Sequence, residues 1–250
     1  MDFLYVLEGI RNPLLNEIML LVTQLGELTV FLLVALILFW CVDKKQGYYI
    51  MGIGFVGVLC NQFLKLAFRV PRPWLLDPEF TALEAAKKTA TGYSFPSGHT
   101  QCAVGAFGGV AYNTHSSAIR IGAIAAAILV PFSRMYLGVH TPADVVASIV
   151  IAVLLILLFK PLVLRRFETT MPYVLLSMLI LSVLFLVYAN GDHFPEDIDI
   201  ANLASGVENS LTLFGAVLGV CLVNFVDHKF LHFPVEGIWW AQVIKVILGM

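Results

Sequence analysis

The chain has 250 residues, 59% of them hydrophobic and 13% charged, with a mean hydropathy of +0.87. Soluble domains average about 45–50% apolar and about 25% charged residues, so this composition excludes an ordinary soluble protein and points to an all-α, polytopic membrane protein. A net charge of −2, with the basic residues scattered near the ends of apolar segments, offers no basic stripe for nucleic acid.

In chain order, Met1 to Asn12 is a short mixed segment without the basic start and small-residue cleavage site of a signal peptide. Asn12-Pro13 reads as a cap followed by a first helical residue. It opens an apolar run to about Gln24; Gly26 and Glu27 interrupt the run, and Leu28 to Cys41 resumes it. Together these are expected to form one span. Glu27 is read as a polar group at the membrane boundary rather than as a functional carboxylate.

Asp43 to Gln46 is expected to be a loop and Tyr48 to Phe68 the next span, carrying Asn61, Gln62 and Lys65 toward its far end. From Arg69 to Phe95 the chain is too polar for the membrane core. Asp77-Pro78 offers a cap and first helical residue, and Glu79 to Lys88 is expected to be a short amphipathic surface helix. It would cover a site, with Trp74 and Phe80 touching lipid.

Further spans are expected at about His99 to Tyr112, Ile119 to Leu137, Thr141 to Phe159, Pro172 to Ala189 and Val207 to Val226, for about six to eight in all. No linker or repeat separates a second domain, so residues 1–250 are expected to form one membrane domain. Cys41, Cys60, Cys102 and Cys221 have no paired spacing and imply neither a disulfide framework nor zinc. Asp227, His228 and His232 lack a convincing further ligand, so no metal is expected there. Gly237 to Met250 is amphipathic and is either an interfacial helix or part of another span.

Loop charges suggest an orientation. If the Lys44-Lys45 loop is cytoplasmic, the loops with Arg120, with Lys160, Arg165 and Arg166, and with Lys229 are cytoplasmic too, whereas the alternate loop from Gly191 to Asn202 has no Lys or Arg. That is the positive-inside pattern. It places Lys65, Arg72, His99, Arg134 and His140 on the extracytoplasmic face.

Those five residues belong to three polar clusters at helix ends. In Tyr93-Ser-Phe-Pro-Ser-Gly-His-Thr100, Ser97 is a candidate N-cap, and the following amides at a positive helix end favour an anion. In isolation the same residues would be only a turn and a cap. Thr141-Pro142-Ala143-Asp144 is likewise a capping pattern. With His140 four residues before it, however, the Asp144 carboxylate can reach the imidazole across one turn and orient it. Two histidines beside three cations at one membrane level are hard to explain as packing.

Lys65 with six residues before Arg72-Pro73, then Pro96-Ser97-Gly98-His99, then Ser133-Arg134 with five residues before His140 and three more before Asp144, resembles the three-part signature of the type-2 phosphatidic acid phosphatase superfamily. That superfamily shares its site with vanadium haloperoxidases and bacterial non-specific acid phosphatases. The resemblance covers Lys65 to Asp144. It implies hydrolysis of a lipid phosphate monoester or diphosphate through a phosphohistidine, with no metal or other cofactor. His140 is implied as nucleophile, Asp144 as its orienting acid, and His99 as the acid for the leaving group and then the base for water. Lys65, Arg72, Ser97, Gly98 and Arg134 are implied to hold the phosphate. A lipid phosphotransferase and a non-catalytic lipid-phosphate binder or transporter are the alternatives. The signature ranks no lipid above another, and the sequence specifies no oligomeric state.

Overall fold

A computed structural model describes residues 1–249, and every regular element among them is helical. α1 (Asp2–Gly9) precedes α2 (Pro13–Gln24), where the Asn12 side chain accepts from the Leu15 amide at 3.0 Å as the cap. α3 (Leu28–Ile37) runs on through a wider π turn, Leu38–Val42. α2 and this extended α3 meet at 49° at the Gly26-Glu27 break and are together long and apolar enough for one span.

α4 (Lys44–Phe68) is the axis of the bundle. Two-thirds of its apolar window is buried, against 17–33% for the other long apolar helices. Glycines on α4 let aromatic side chains pack directly on its backbone: Phe39 against Gly47, Phe159 against Gly52, and Phe31 against Gly54. Without a hydrophobic driving force between helices in lipid, such close approach is what holds a bundle together. The helix starts earlier than the charges at its head suggest. Asp43 accepts from the amides of Lys45 and Gln46 at 2.6 and 3.1 Å, so the expected loop is capped into the first turn.

Between α4 and the next long helix lie α5 (Pro73–Leu76) and α6 (Glu84–Lys87). The expected surface helix over Glu79 to Lys88 is therefore confined to one turn. Asp77 does not start it: its carboxylate accepts from Tyr5 at 2.8 Å and from the Glu79 amide at 3.1 Å. Phe80 is 2% exposed and packs edge-on against Tyr5, and the Arg11 guanidinium lies 5.5 Å from its ring centroid. It is a buried plug rather than a lipid contact. Holding it there keeps residues 77–83 out of helix.

α7 (Gly98–Ala103) passes through a π turn, Val104–Gly108, into α8 (Gly109–Asn113). This stretch is short of the roughly 20 residues of a perpendicular span. α9 (Ser117–Tyr136), α10 (Pro142–Phe159, with a π turn at Lys160–Arg165), α11 (Phe167–Ala189) and α12 (Ile200–Val226, with a π turn at Asp227–Leu231) complete the bundle. Five helices are long and apolar enough to cross a membrane, six with the bent pair. α12 starts before Val207 because Asp199 caps it, accepting from the Asn202 amide at 3.0 Å.

α13 (Trp239–Gly249) has 11 residues, about 16 Å of helix. It lies against the far end of α3, where Lys245 donates to the Trp40 carbonyl at 3.4 Å. Met250 lies outside the described residues. Asp227 pairs with Lys44 at 2.6 Å, and no group of three His, Cys, Asp or Glu side chains among the described residues is arranged to hold a metal ion.

Candidate active site

α4 and α9 end, and α7 and α10 begin, at the same end of the bundle, so all three polar clusters converge there. Arg69 terminates α4 in the left-handed region, with its amide on the Lys65 carbonyl at 3.0 Å. α9 ends on Gly138, whose φ of +78° turns the chain inward so that Val139 bonds back to the Arg134 carbonyl at 3.1 Å and His140 faces the interior. A side chain at this glycine would be strained and would also meet Arg11 and Phe80, with a Cβ 2.7 Å from Nη2 and 3.0 Å from Cζ respectively.

Arg72 joins the clusters. Its guanidinium donates to the carbonyls of Thr91 (2.7 Å), Gly92 (3.1 Å) and Val139 (3.0 Å), and Nη1 lies 3.0 Å from His140 Nε2. A guanidinium only donates, so this contact leaves the lone pair on Nε2 and the ring proton on Nδ1. Nδ1 lies 3.5 Å from Asp144 Oδ2, an electrostatic contact still too long and poorly aligned for a hydrogen bond. That carboxylate oxygen is itself held by the Ser94 hydroxyl and the Thr141 amide, both at 2.7 Å. Burial, helped by Arg72, Arg134, Lys65 and His99, holds the His140 imidazole well below its ordinary pKa. The ring is neutral, with its lone pair aimed at the site.

The other groups are placed with equal economy. The Lys65 ammonium donates to the Tyr93 carbonyl. Arg134 is fully buried. Its Nη1 donates to Thr23 Oγ1 at 2.7 Å, while Nε and Nη2 have no protein partner. His99 Nε2 is also unpaired. Ser97 caps α7 through its hydroxyl, accepting from the Thr100 amide at 3.4 Å, and its carbonyl accepts from Ser148 at 2.9 Å.

A cavity of about 350 Å³ opens on Lys65, Arg72, Gly98, His99, Arg134 and His140. Ser97 and Asp144 do not line it; they act on its walls, Ser97 through the α7 cap and Asp144 through His140. Two unpaired Arg134 donors and an unpaired His99 ring nitrogen beside a neutral imidazole make a cage for a tetrahedral anion, because buried polar groups are otherwise satisfied.

Sequence reasoning missed several residues. Thr23 anchors Arg134 across 111 positions of chain; its only signal was a hydroxyl in an apolar run. Asn61, one turn before Lys65, is 1% exposed and lines the cavity with both side-chain amide atoms unpaired. Glu27, expected at the membrane boundary, lines the cavity too, together with Gln62 and Asn209.

A profile described as PAP2 superfamily matches residues 45–168, which contains all three clusters. Phosphatidylglycerophosphatase B of Bacillus subtilis (strain 168) is 30% identical over 166 residues, covering 60% of this chain and 76% of that protein. Undecaprenyl-diphosphatase BcrC of the same organism is 29% identical over 151 residues, covering 60% of this chain and 75% of that one. Among solved structures, the transmembrane PAP2-type phosphatidylglycerolphosphate phosphatase from Bacillus subtilis superposes with a TM-score of 0.53 at 28% identity, covering 64% of this chain and 81% of the other.

Proposed function

Since the chain belongs to the PAP2 superfamily, we propose that it is an integral-membrane phosphatase that removes phosphate from a phosphorylated lipid through a phosphohistidine at His140. In this reading residues 1–250 act as one membrane unit, and the positive-inside pattern of the loops supports a site on the extracytoplasmic face. The observation that carries the reading is the His140 ring, with Nδ1 turned toward Asp144 and the Nε2 lone pair against Arg72 inside a cage of unpaired donors.

Lys65, Arg72 and Arg134, with the Gly98 amide at the start of α7, take the phosphoryl oxygens. This neutralises charge that builds in the transition state. Arg72 moves from Nε2 to the phosphate, and His140 Nε2 attacks phosphorus while Asp144 stabilises the imidazolium that forms. His99, protonated once the phosphate's negative charge lies beside it, gives that proton to the departing alkoxide. It then takes a proton from water, which attacks the phosphohistidine, releases inorganic phosphate and restores neutral His140.

The substrate is a lipid phosphate. The relatives' names specify a phosphatidylglycerophosphate and an undecaprenyl diphosphate, and the cavity has room for a phosphorylated headgroup with its tail left in the bilayer. The test is inorganic phosphate release by detergent-purified protein from a panel of lipid phosphates and diphosphates, with EDTA present. Turnover that survives EDTA and disappears in His140→Ala is expected. Full activity in His140→Ala would overturn the assignment.

A further inference from the structure

The phosphate cage and the reaction leave one acidic group of the cavity wall unused, Glu27. None of the ion pairs among the described residues involves it, and a partly buried carboxylate near lipid is costly without a partner. Backbone contacts set its place. At the α2–α3 break, Gly26 is pressed between α9 and α7, so that a Cβ at position 26 would stand 2.7 Å from Val130 Cγ1, 2.8 Å from the His99 carbonyl oxygen and 3.0 Å from the His99 Cβ. Glu27, the next residue, lines the cavity with His99 and Arg134, and its charge reaches the Arg134 guanidinium without forming an ion pair. The donors that hold the phosphoryl oxygens come from Lys65, Arg72 and Arg134 on α4, α9 and the loop after α4.

We infer that Glu27 reads the alcohol half of the substrate, accepting a hydrogen bond from a hydroxyl or ammonium group carried close to the phosphoester oxygen. A leaving group that presents a second anion there, as a diphosphate does, meets the same carboxylate as a repulsion. Selectivity of this kind combines an attractive contact with a penalty on the competitor. Gln62 and Asn209, at the same cavity wall, add neutral amides without changing the sign of the charge. The inference rests on the lipid phosphatase reading.

Three monoester probes test it. Sphingosine 1-phosphate carries an ammonium next to the ester carbon, lysophosphatidic acid carries a hydroxyl there, and phosphatidic acid has that oxygen acylated. For wild type, Glu27→Gln and Glu27→Ala, kcat/KM on each donor-bearing probe is divided by kcat/KM on phosphatidic acid. Glu27→Gln is expected to lower the ammonium ratio by about tenfold or more, as the loss of a charge-assisted bond does, and Glu27→Ala to lower both ratios. A fall in the hydroxyl ratio alone assigns the contact to a hydroxyl. Ratios unchanged in both variants, or variants inactive on all three probes, overturn the inference. Wild type inactive on every probe overturns the phosphatase reading instead.

Discussion

At the start of α4, Lys44 reaches Asp227 at 2.6 Å and sits 3.7 Å from the centroid of the Phe233 ring, and Asp227 also accepts from the Phe233 amide at 3.0 Å. At the other end of the same helix, Lys65 meets Arg72, Arg134, His99 and His140 around a cavity, and the nearby carboxylate of Asp144 is occupied by Ser94 and Thr141. The first cluster spends its charge on itself and ties α4 to α12. The second keeps groups in reserve: the Arg134 donors Nε and Nη2 and the His99 ring nitrogen Nε2 are buried without partners. Both clusters set a lysine of α4 near an aspartate, so a charged pair at a helix end does not by itself make a site. Charge left unpaired around a shared volume does.

Substitutions can break that contrast. The largest effect is expected from His140→Ala, which removes the attacking atom and should abolish phosphate release while the protein stays folded by thermal shift. Arg134→Ala comes next. Losing one such donor costs about 2.7–4 kcal/mol of transition-state stabilisation, or roughly 10²–10³ in kcat, and steady-state kinetics would show it. Asn61→Leu keeps the volume but removes two unpaired amide atoms, so turnover should fall by about tenfold with no loss of melting temperature, because the amide bonds to nothing in the fold. Lys44→Ala is the control at the opposite end. It should lower stability by about 1–3 kcal/mol and leave kcat unchanged; a kinetic defect there without a stability defect would erase the distinction between the clusters.

Where local chemistry decides the structure, the sequence was readable. Asn12-Pro13, Ser97 and Thr141-Pro142-Ala143-Asp144 cap their helices as their residue types require, and the last forms a reciprocal capping box. The three clusters were legible because each sits where an apolar run stops. Long-range contacts were not legible. Phe80 looked like one face of a surface helix, yet its partners are Tyr5, Arg11 and Gly138, distant in sequence. Glu27 looked like a boundary charge because nothing near it in sequence reveals that the α2–α3 bend presses Gly26 onto His99. Thr23 and Asn61 are short polar side chains within apolar runs, and only the tertiary structure shows that one anchors Arg134 and the other faces the cavity.

The central claim, that the unpaired donors gather a phosphoryl group for transfer to His140, is tested most directly by trapping the intermediate. Protein with His99→Asn, in which water is no longer activated, would be incubated with a nitrophenyl phosphate labelled in its phosphoryl group, whose leaving phenolate needs no proton from His99, and quenched in base. Acid-labile, base-stable label on the peptide containing His140, absent when His140→Ala is added, is the expected result. Label confined to another residue, or a wild-type enzyme that turns over while no quench ever recovers label at His140, would contradict it.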